Sequence, residues 1–291
     1  MFAVRKVSSI AAMLAGYLVF SVYADGHSPQ LYMAGDSIMA AYRPSEFPQY
    51  GWGQALKVFM KDASCLHNCA RSGWSARRFR ESGRWEKHIA SKLEKGDWVI
   101  VSFGHNDSNK KRNKPPKNDY STPDEYKAFL AGFVADVRAK GANIAFATSI
   151  AHSEGFVEKD GVLSVDGGVK GLGPYVRAMR EAAAELGVPL LDLNRYAEKE
   201  FPKMGLEKAK ALYMFVKPGE SPNYPNGKRD AAHVRDTGAF FYAKGAVEMA
   251  REQKLSIASL WKDPADVGFL PAKGCRRDHC VPEGGNTAKG R

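Results

Sequence analysis

The sequence predicts an open α/β domain built on a parallel sheet with helices on both faces, and three observations predict it. The segment Trp98 to Phe103, WVIVSF, is nearly continuously apolar, the pattern of a strand covered on both sides. Strand-like and helix-like stretches alternate along the chain, which implies parallel strands joined by crossover helices. Clusters of Gly, Asp, Ser, His and Asn follow the expected strands, where such sheets bind their ligands.

Taken in order, residues 1–24 read as a signal peptide outside the fold. Arg5 and Lys6 precede an apolar run from Ile10 to Val22, and Val22-Tyr23-Ala24 offers small residues for cleavage. This predicts export, to the periplasm or the extracellular space. An uncleaved anchor is the alternative, but the run is shorter than the roughly 20 residues that span a bilayer. No other segment is long and apolar enough, so no stable membrane insertion is expected after cleavage. Gln30 to Ala34 reads as the first strand and Gln54 to Lys61 as a helix with Leu56, Phe59 and Met60 on its apolar face. After Trp98–Phe103, Thr122-Pro123-Asp124-Glu125 forms a capping box that starts a helix running to about Lys140. A strand at Asn143–Ser149, a helix from Pro174 to Leu186, a short strand at Pro189–Leu193 and a helix from Thr237 to Gln253 follow. Ser108–Tyr120, Ser153–Gly173 and Lys217–Arg229 read as inserted loops. Residues 25–270 are expected to form one domain, and 271–291 a polar tail held by a local disulfide.

The chain carries a formal charge of +11, or +9 without Arg5 and Lys6. That excess suits an anionic partner such as a uronic-acid polysaccharide, or a solvated basic surface kept for solubility. No nucleic-acid recognition module is present, so nucleic acid is not an expected partner. The four cysteines fall in two close pairs, Cys65 with Cys69 and Cys275 with Cys280, and two local disulfides are the expected connectivity. A zinc site is the weaker reading, since the pairs are far apart and only His67 and His279 lie near them.

The chemistry is legible in four short blocks. Gly35-Asp36-Ser37 follows the first strand, Ser72-Gly73-Trp74-Ser75 lies where a second should end, and Gly104-His105-Asn106-Asp107 follows WVIVSF. Each alone is a turn signal. Acyl transfer by serine needs a base, an acid to orient it and donors for the oxyanion. Of seven histidines only His233 has a carboxylate three residues before it, in DAAHVRDTGA, which makes Asp230 and His233 the orienter and base. His105 is the rival. Ser37 and Gly73 offer backbone N–H groups and Asn106 a side-chain amide for the oxyanion.

Together these blocks resemble the SGNH or GDSL hydrolase superfamily, and in detail the rhamnogalacturonan acetylesterase family within it, through GWGQAL, SGWSARRF, GDWVIVSFGHND and DAAHVRDTGA. The resemblance covers about Leu31 to Glu252. It implies a flavodoxin-like three-layer α/β/α sandwich, Ser37 as nucleophile, Asp230 and His233 completing the triad, and an oxyanion hole from Ser37, Gly73 and Asn106. It implies no cofactor and no metal. The chain departs from the family pattern where Gly73-Trp74-Ser75 replaces Gly-Arg-Ser, and where Val-Arg-Asp follows His233.

The resemblance implies an exported esterase that removes O-acetyl groups from an acidic polysaccharide such as acetylated rhamnogalacturonan. Acetylxylan, another glycan, or a lipid or thioester acyl group are alternatives that keep the same triad, and a glycan-binding protein without turnover is the alternative outside enzymes. The loop KKRNKPPK places Lys110 and Lys111 beside the site, where they suit uronate carboxylates or are simply solvated loop charge with no binding role. Trp52 and Trp74 are candidates to stack on sugar rings, although tryptophan there also suits packing. Nothing in the sequence sets the oligomeric state.

Overall fold

Apolar alternation builds the sheet. In β1 (Leu31–Gly35), Leu31 and Met33 face one side while Tyr32 and Ala34 face the other, and all are buried. The computed structural model describes residues 28–114 and 117–268. Four more strands join β1: β2 (Leu66–Asn68), β3 (Trp98–Ser102), β4 (Asn143–Ala147) and β5 (Leu190–Leu191). Their spatial order is β5-β4-β3-β1-β2, parallel throughout, with Leu31 opposite Leu66 on one side and Trp98 on the other. This is the flavodoxin-like order, which reverses direction between β1 and β3 and opens a crevice at their carboxyl ends.

The labelled helices are α1 (Ala76–Glu81), α2 (Pro123–Ala139), α3 (Gly173–Leu186), α4 (Leu193–Met204) and α5 (Asp236–Glu252). Helices α2 and α3 cover the face holding Tyr32, Ala34, Val99 and Val101, and α4 and α5 cover the face holding Leu31, Met33 and Ile100. The expected capping box starts α2: Thr122 Oγ1 accepts from the Glu125 N–H at 3.2 Å, and Glu125 Oε2 accepts from the Thr122 N–H at 2.7 Å. Its apolar face buries Tyr126, Leu130, Phe133, Val134 and Val137, and truncating Phe133 alone would cost about 3–5 kcal/mol.

The structure holds elements beyond those that the sequence pattern predicts. Helix α4 begins where a strand to Leu193 was expected, because the Asp192 carboxylate accepts from the Arg195 N–H, and Leu193, Ala197 and Phe201 recur at helical spacing. Ser153–Gly173 contains a hairpin, Phe156–Lys159 with Val162–Val165. Strands β6 (Tyr213–Val216) and β7 (Lys228–Arg235) pair antiparallel, and Gln49–Tyr50 adds to the far edge of β7. Tyr213 pairs with Val234 but its neighbour Met214 pairs with Asp230, so Ala231 to His233 bulge out of the ribbon.

The expected Cys65–Cys69 disulfide is corrected: neither cysteine is in a disulfide. The intervening residues form β2, and extended chain advances about 3.3 Å per residue, which puts the ends beyond disulfide reach. Cys65 joins the core on the α5 face and Cys69 the core on the α2 face. The Cys69 thiol donates weakly to the His88 carbonyl, 3.8 Å away. Cys275 and Cys280, the signal segment and the tail after Pro271 lie outside the described residues. No helix among the described residues is long and apolar enough to cross a membrane.

Candidate active site

The crevice between β1 and β3 holds the blocks read from the sequence. The turn after β1 is set by Asp36, whose Oδ1 accepts from the Ile38 N–H at 2.9 Å while its carbonyl accepts from Met39 and Ala40. Tyr42 pins the turn by donating its hydroxyl to the Ser37 carbonyl at 2.8 Å. The GWGQAL block packs directly against it: a Cβ on Gly51 would stand 2.0 Å from the Ala40 carbonyl oxygen, so only glycine admits the approach. Ser37 is thereby held at the strand end, and nothing among the described residues accepts from its N–H.

The bulge in β7 supplies the partners. Asp230 Oδ1 accepts from the N–H groups of Ala232 and His233, each at 3.0 Å, which closes the bulge. Its Oδ2 lies 2.8 Å from His233 Nδ1, and His233 Nε2 lies 2.9 Å from Ser37 Oγ. Burial pushes the Asp230 carboxyl up, but the hydrogen bond and charge of His233 and the two backbone donors outweigh it and hold it well below the usual carboxylate range. An ionised carboxylate at Nδ1 keeps the imidazole proton there and leaves Nε2 to take one from Ser37. His105, the rival base, lies instead with Nδ1 3.7 Å from Asp36 Oδ2 and makes no bond to Ser37.

The oxyanion candidates converge from two loops. Arg71 N–H donates to the Gly35 carbonyl and Trp74 N–H to the Arg71 carbonyl, a turn that carries Gly73 at φ +77°, a conformation glycine adopts without strain. Asn106, nearly buried, donates one Nδ2 hydrogen to the Trp74 carbonyl at 2.9 Å. An amide has two such hydrogens, so one remains for a ligand. Asp107, the last residue of the third block, is structural. Its Oδ1 accepts from the Ala76 N–H at the start of α1, and burial drives its carboxyl well above the usual range.

Ser37 and His233 open into a cavity of about 840 Å³, also lined by His105, Asn106, Lys110, Lys111, Tyr120, Tyr175, His152 and Lys170. Lys110 and Lys111 thus lie where the sequence reading placed them. His152 and Lys170 were missed, being distant in sequence and carrying no local signal. The His152 ring, lowered in pKa by burial and by His105, accepts from the Glu154 N–H through Nδ1 at 3.4 Å and so directs an N–H from Nε2. Trp52 is corrected as a substrate contact: it is fully buried among Leu31, Met39 and α5. Trp74 does not line the cavity, and its ring is occupied by guanidinium groups instead. Among the described residues no group of three or more His, Cys, Asp or Glu could hold a metal ion.

A serine paired with an imidazole and a carboxylate at the switch point of a parallel sheet is the apparatus of an ester hydrolase, and relatives agree. The chain belongs to the GDSL-like lipase/acylhydrolase family, whose model matches residues 33–215. It is a carboxylic ester hydrolase. Rhamnogalacturonan acetylesterase RhgT of Bacillus subtilis is 34% identical over 228 residues, 78% of this chain and 92% of that protein. The probable rhamnogalacturonan acetylesterase YesY of the same organism is 33% identical, over 76% of this chain and 88% of that one. The crystal structure of the Bacillus subtilis protein YxiM, 27% identical, superposes with a TM-score of 0.64, covering 79% of this chain and 58% of that longer one. The resemblance seen in the motifs and the three-layer fold it implied are therefore both borne out. Asp230 and His233 lie beyond the segment that the family model matches, and their contacts join them to Ser37.

Proposed function

We propose that the chain is an exported carbohydrate deacetylase that removes O-acetyl groups from an acidic polysaccharide of the rhamnogalacturonan type. The observation that carries the reading is the unbroken chain of contacts from Asp230 Oδ2 through His233 to Ser37 Oγ, at 2.8 and 2.9 Å. The names of the two relatives aligned over most of their length supply the acyl group and the glycan. The cavity sets Lys110, Lys111 and Lys170 around Ser37, cations that suit the carboxylates of an acidic glycan.

The chemistry follows from the geometry. His233 Nε2 takes the Ser37 proton as Oγ attacks the ester carbonyl, and Asp230 stabilises the imidazolium that forms. The oxyanion is held by the N–H groups of Ser37 and Gly73 and by the second Asn106 Nδ2 hydrogen. The C–O bond then breaks, His233 gives its proton to the departing sugar oxygen, which leaves as a hydroxyl, and the acetyl group remains esterified to Ser37. Water, deprotonated by the same imidazole, releases acetate and restores the serine.

The test is acetate release from acetylated rhamnogalacturonan, acetylated homogalacturonan and acetylated xylan by the mature protein, with Ser37→Ala alongside. Release from a pectin fraction that disappears in Ser37→Ala is the expected outcome. Equal release by Ser37→Ala would overturn the mechanism, and preference for xylan would overturn the substrate.

A further inference from the structure

Three arginines meet on one indole ring. The guanidinium carbons of Arg78, Arg71 and Arg84 lie 4.7, 5.2 and 5.7 Å from the centroid of Trp74. Like charges gathered this closely repel unless anions neutralise them. The buried Asp119 lies 3.7 Å from Arg78, and exposed Arg71 has no ion pair among the described residues. The positive field extends past the ring: after burial, it is Arg84, Lys92, Lys87 and Arg71 that hold the His88 imidazole down.

The geometry suits one kind of ligand. A guanidinium held over an indole can still take a carboxylate through its N–H edge with two parallel hydrogen bonds. Arg84 Nε already donates to the Cys69 carbonyl at 3.2 Å, so Arg71 and Arg78 are the main arms of the cluster. Resting the plane on an indole also removes beforehand part of the side-chain freedom that binding would otherwise cost. The cluster adjoins the oxyanion candidates, because Trp74 follows Gly73 and its carbonyl holds Asn106. The cavity beyond Ser37 carries Lys110, Lys111 and Lys170. A polymer with regularly spaced carboxylates bound at Ser37 would meet the cavity lysines, and the arginines add a second set of cations beyond the Gly73 turn.

We propose that Arg71, Arg78 and Arg84, mounted on Trp74, form a second binding site for the carboxylates of an acidic polysaccharide and hold the polymer across Ser37. The substrate class rests on the deacetylase reading above, but the binding is measurable without turnover. Unacetylated hexagalacturonate and neutral xylohexaose are titrated calorimetrically into the mature full chain at low and high salt. Hexagalacturonate should bind, more weakly at high salt, and xylohexaose should not. The double variant Arg71→Gln/Arg78→Gln should weaken hexagalacturonate by at least roughly tenfold, the scale of a lost charge-assisted hydrogen bond. Arg71→Lys, which keeps the charge and loses the fork, should lose part of that. Melting temperatures check the fold, and exposed Arg71→Gln alone, expected to weaken binding several-fold, serves if the double variant does not fold. An unchanged Kd in a folded variant, equal binding of both oligosaccharides, or equally tight binding of a DNA duplex would each overturn the proposal. If acetate release fails while arginine-dependent galacturonate binding stands, the deacetylase reading falls alone; the reverse result removes only this site.

Discussion

Replacing Asn106 with alanine tests the oxyanion hole and separates chemistry from folding. One Nδ2 hydrogen is committed to the Trp74 carbonyl at 2.9 Å, so the variant loses that bond together with the donor offered to the oxyanion. The structural bond is a neutral one, worth about 0.5–1.5 kcal/mol, which in a domain of this size lowers the melting temperature by roughly 1–6 °C. The catalytic donor is worth far more. Removing one preorganised oxyanion donor costs about 2.7–4 kcal/mol in the transition state, or a fall in kcat of roughly 100- to 1,000-fold. The ester carbonyl carries no full charge in the ground state, so KM should move little and the loss should fall on kcat. Steady-state hydrolysis of 4-nitrophenyl acetate with a parallel melting curve reads both quantities. A folded Asn106→Ala protein that kept its turnover within about threefold would refute the placement of the donor, given the size expected of it.

Asp230→Asn should lower kcat by about four orders of magnitude, because an amide at Nδ1 no longer fixes the imidazole tautomer; 4-nitrophenyl acetate turnover checks it. Since the folded Asp230 carboxyl titrates well below its ordinary range, it stays charged wherever the protein is assayed. The acid limb of log kcat/KM against pH should therefore have the slope of one proton with none contributed by Asp230, and a slope of two would contradict this. The stability Asp230 contributes is present above the ordinary carboxylate pKa and is lost only as pH falls through its depressed folded value. Asp107 has the opposite sign: burial raises its pKa, so its contribution is full below the ordinary carboxylate pKa and is lost as pH rises through the folded one. Asp107→Asn should flatten that decline in a series of melting temperatures against pH. Trp52→Ala should cost about 3–5 kcal/mol of stability in denaturant titration, as a core truncation does, with no selective loss on glycan over small esters.

What the sequence could state depended on how local the physics was. The capping box of α2 and the Asp230–His233 pair were legible because each is closed by bonds between residues three apart. The parallel sheet was legible because strands buried on both faces must be apolar throughout, as WVIVSF is. Helix α1 was missed because only Ala76 and Phe79 of its six residues are buried, too few to show a period.

The tertiary structure decided what depends on direction. A pair of cysteines four apart looks like a staple, yet β2 between them is extended and holds them too far apart to bond, each in a different core. Trp52 and Trp74 look alike in sequence, but one fills the core under the nucleophile turn and the other carries three arginines at the surface. Ser37 and His233 are 196 residues apart. The sequence by itself named both, because the nucleophile turn and the Asp-x-x-His bulge are each written locally. That Nε2 meets Oγ at 2.9 Å, and that His152 and Lys170 share their cavity, follows from the sheet order and the β6–β7 ribbon. Those contacts close loops of long sequence separation, which no local pattern records.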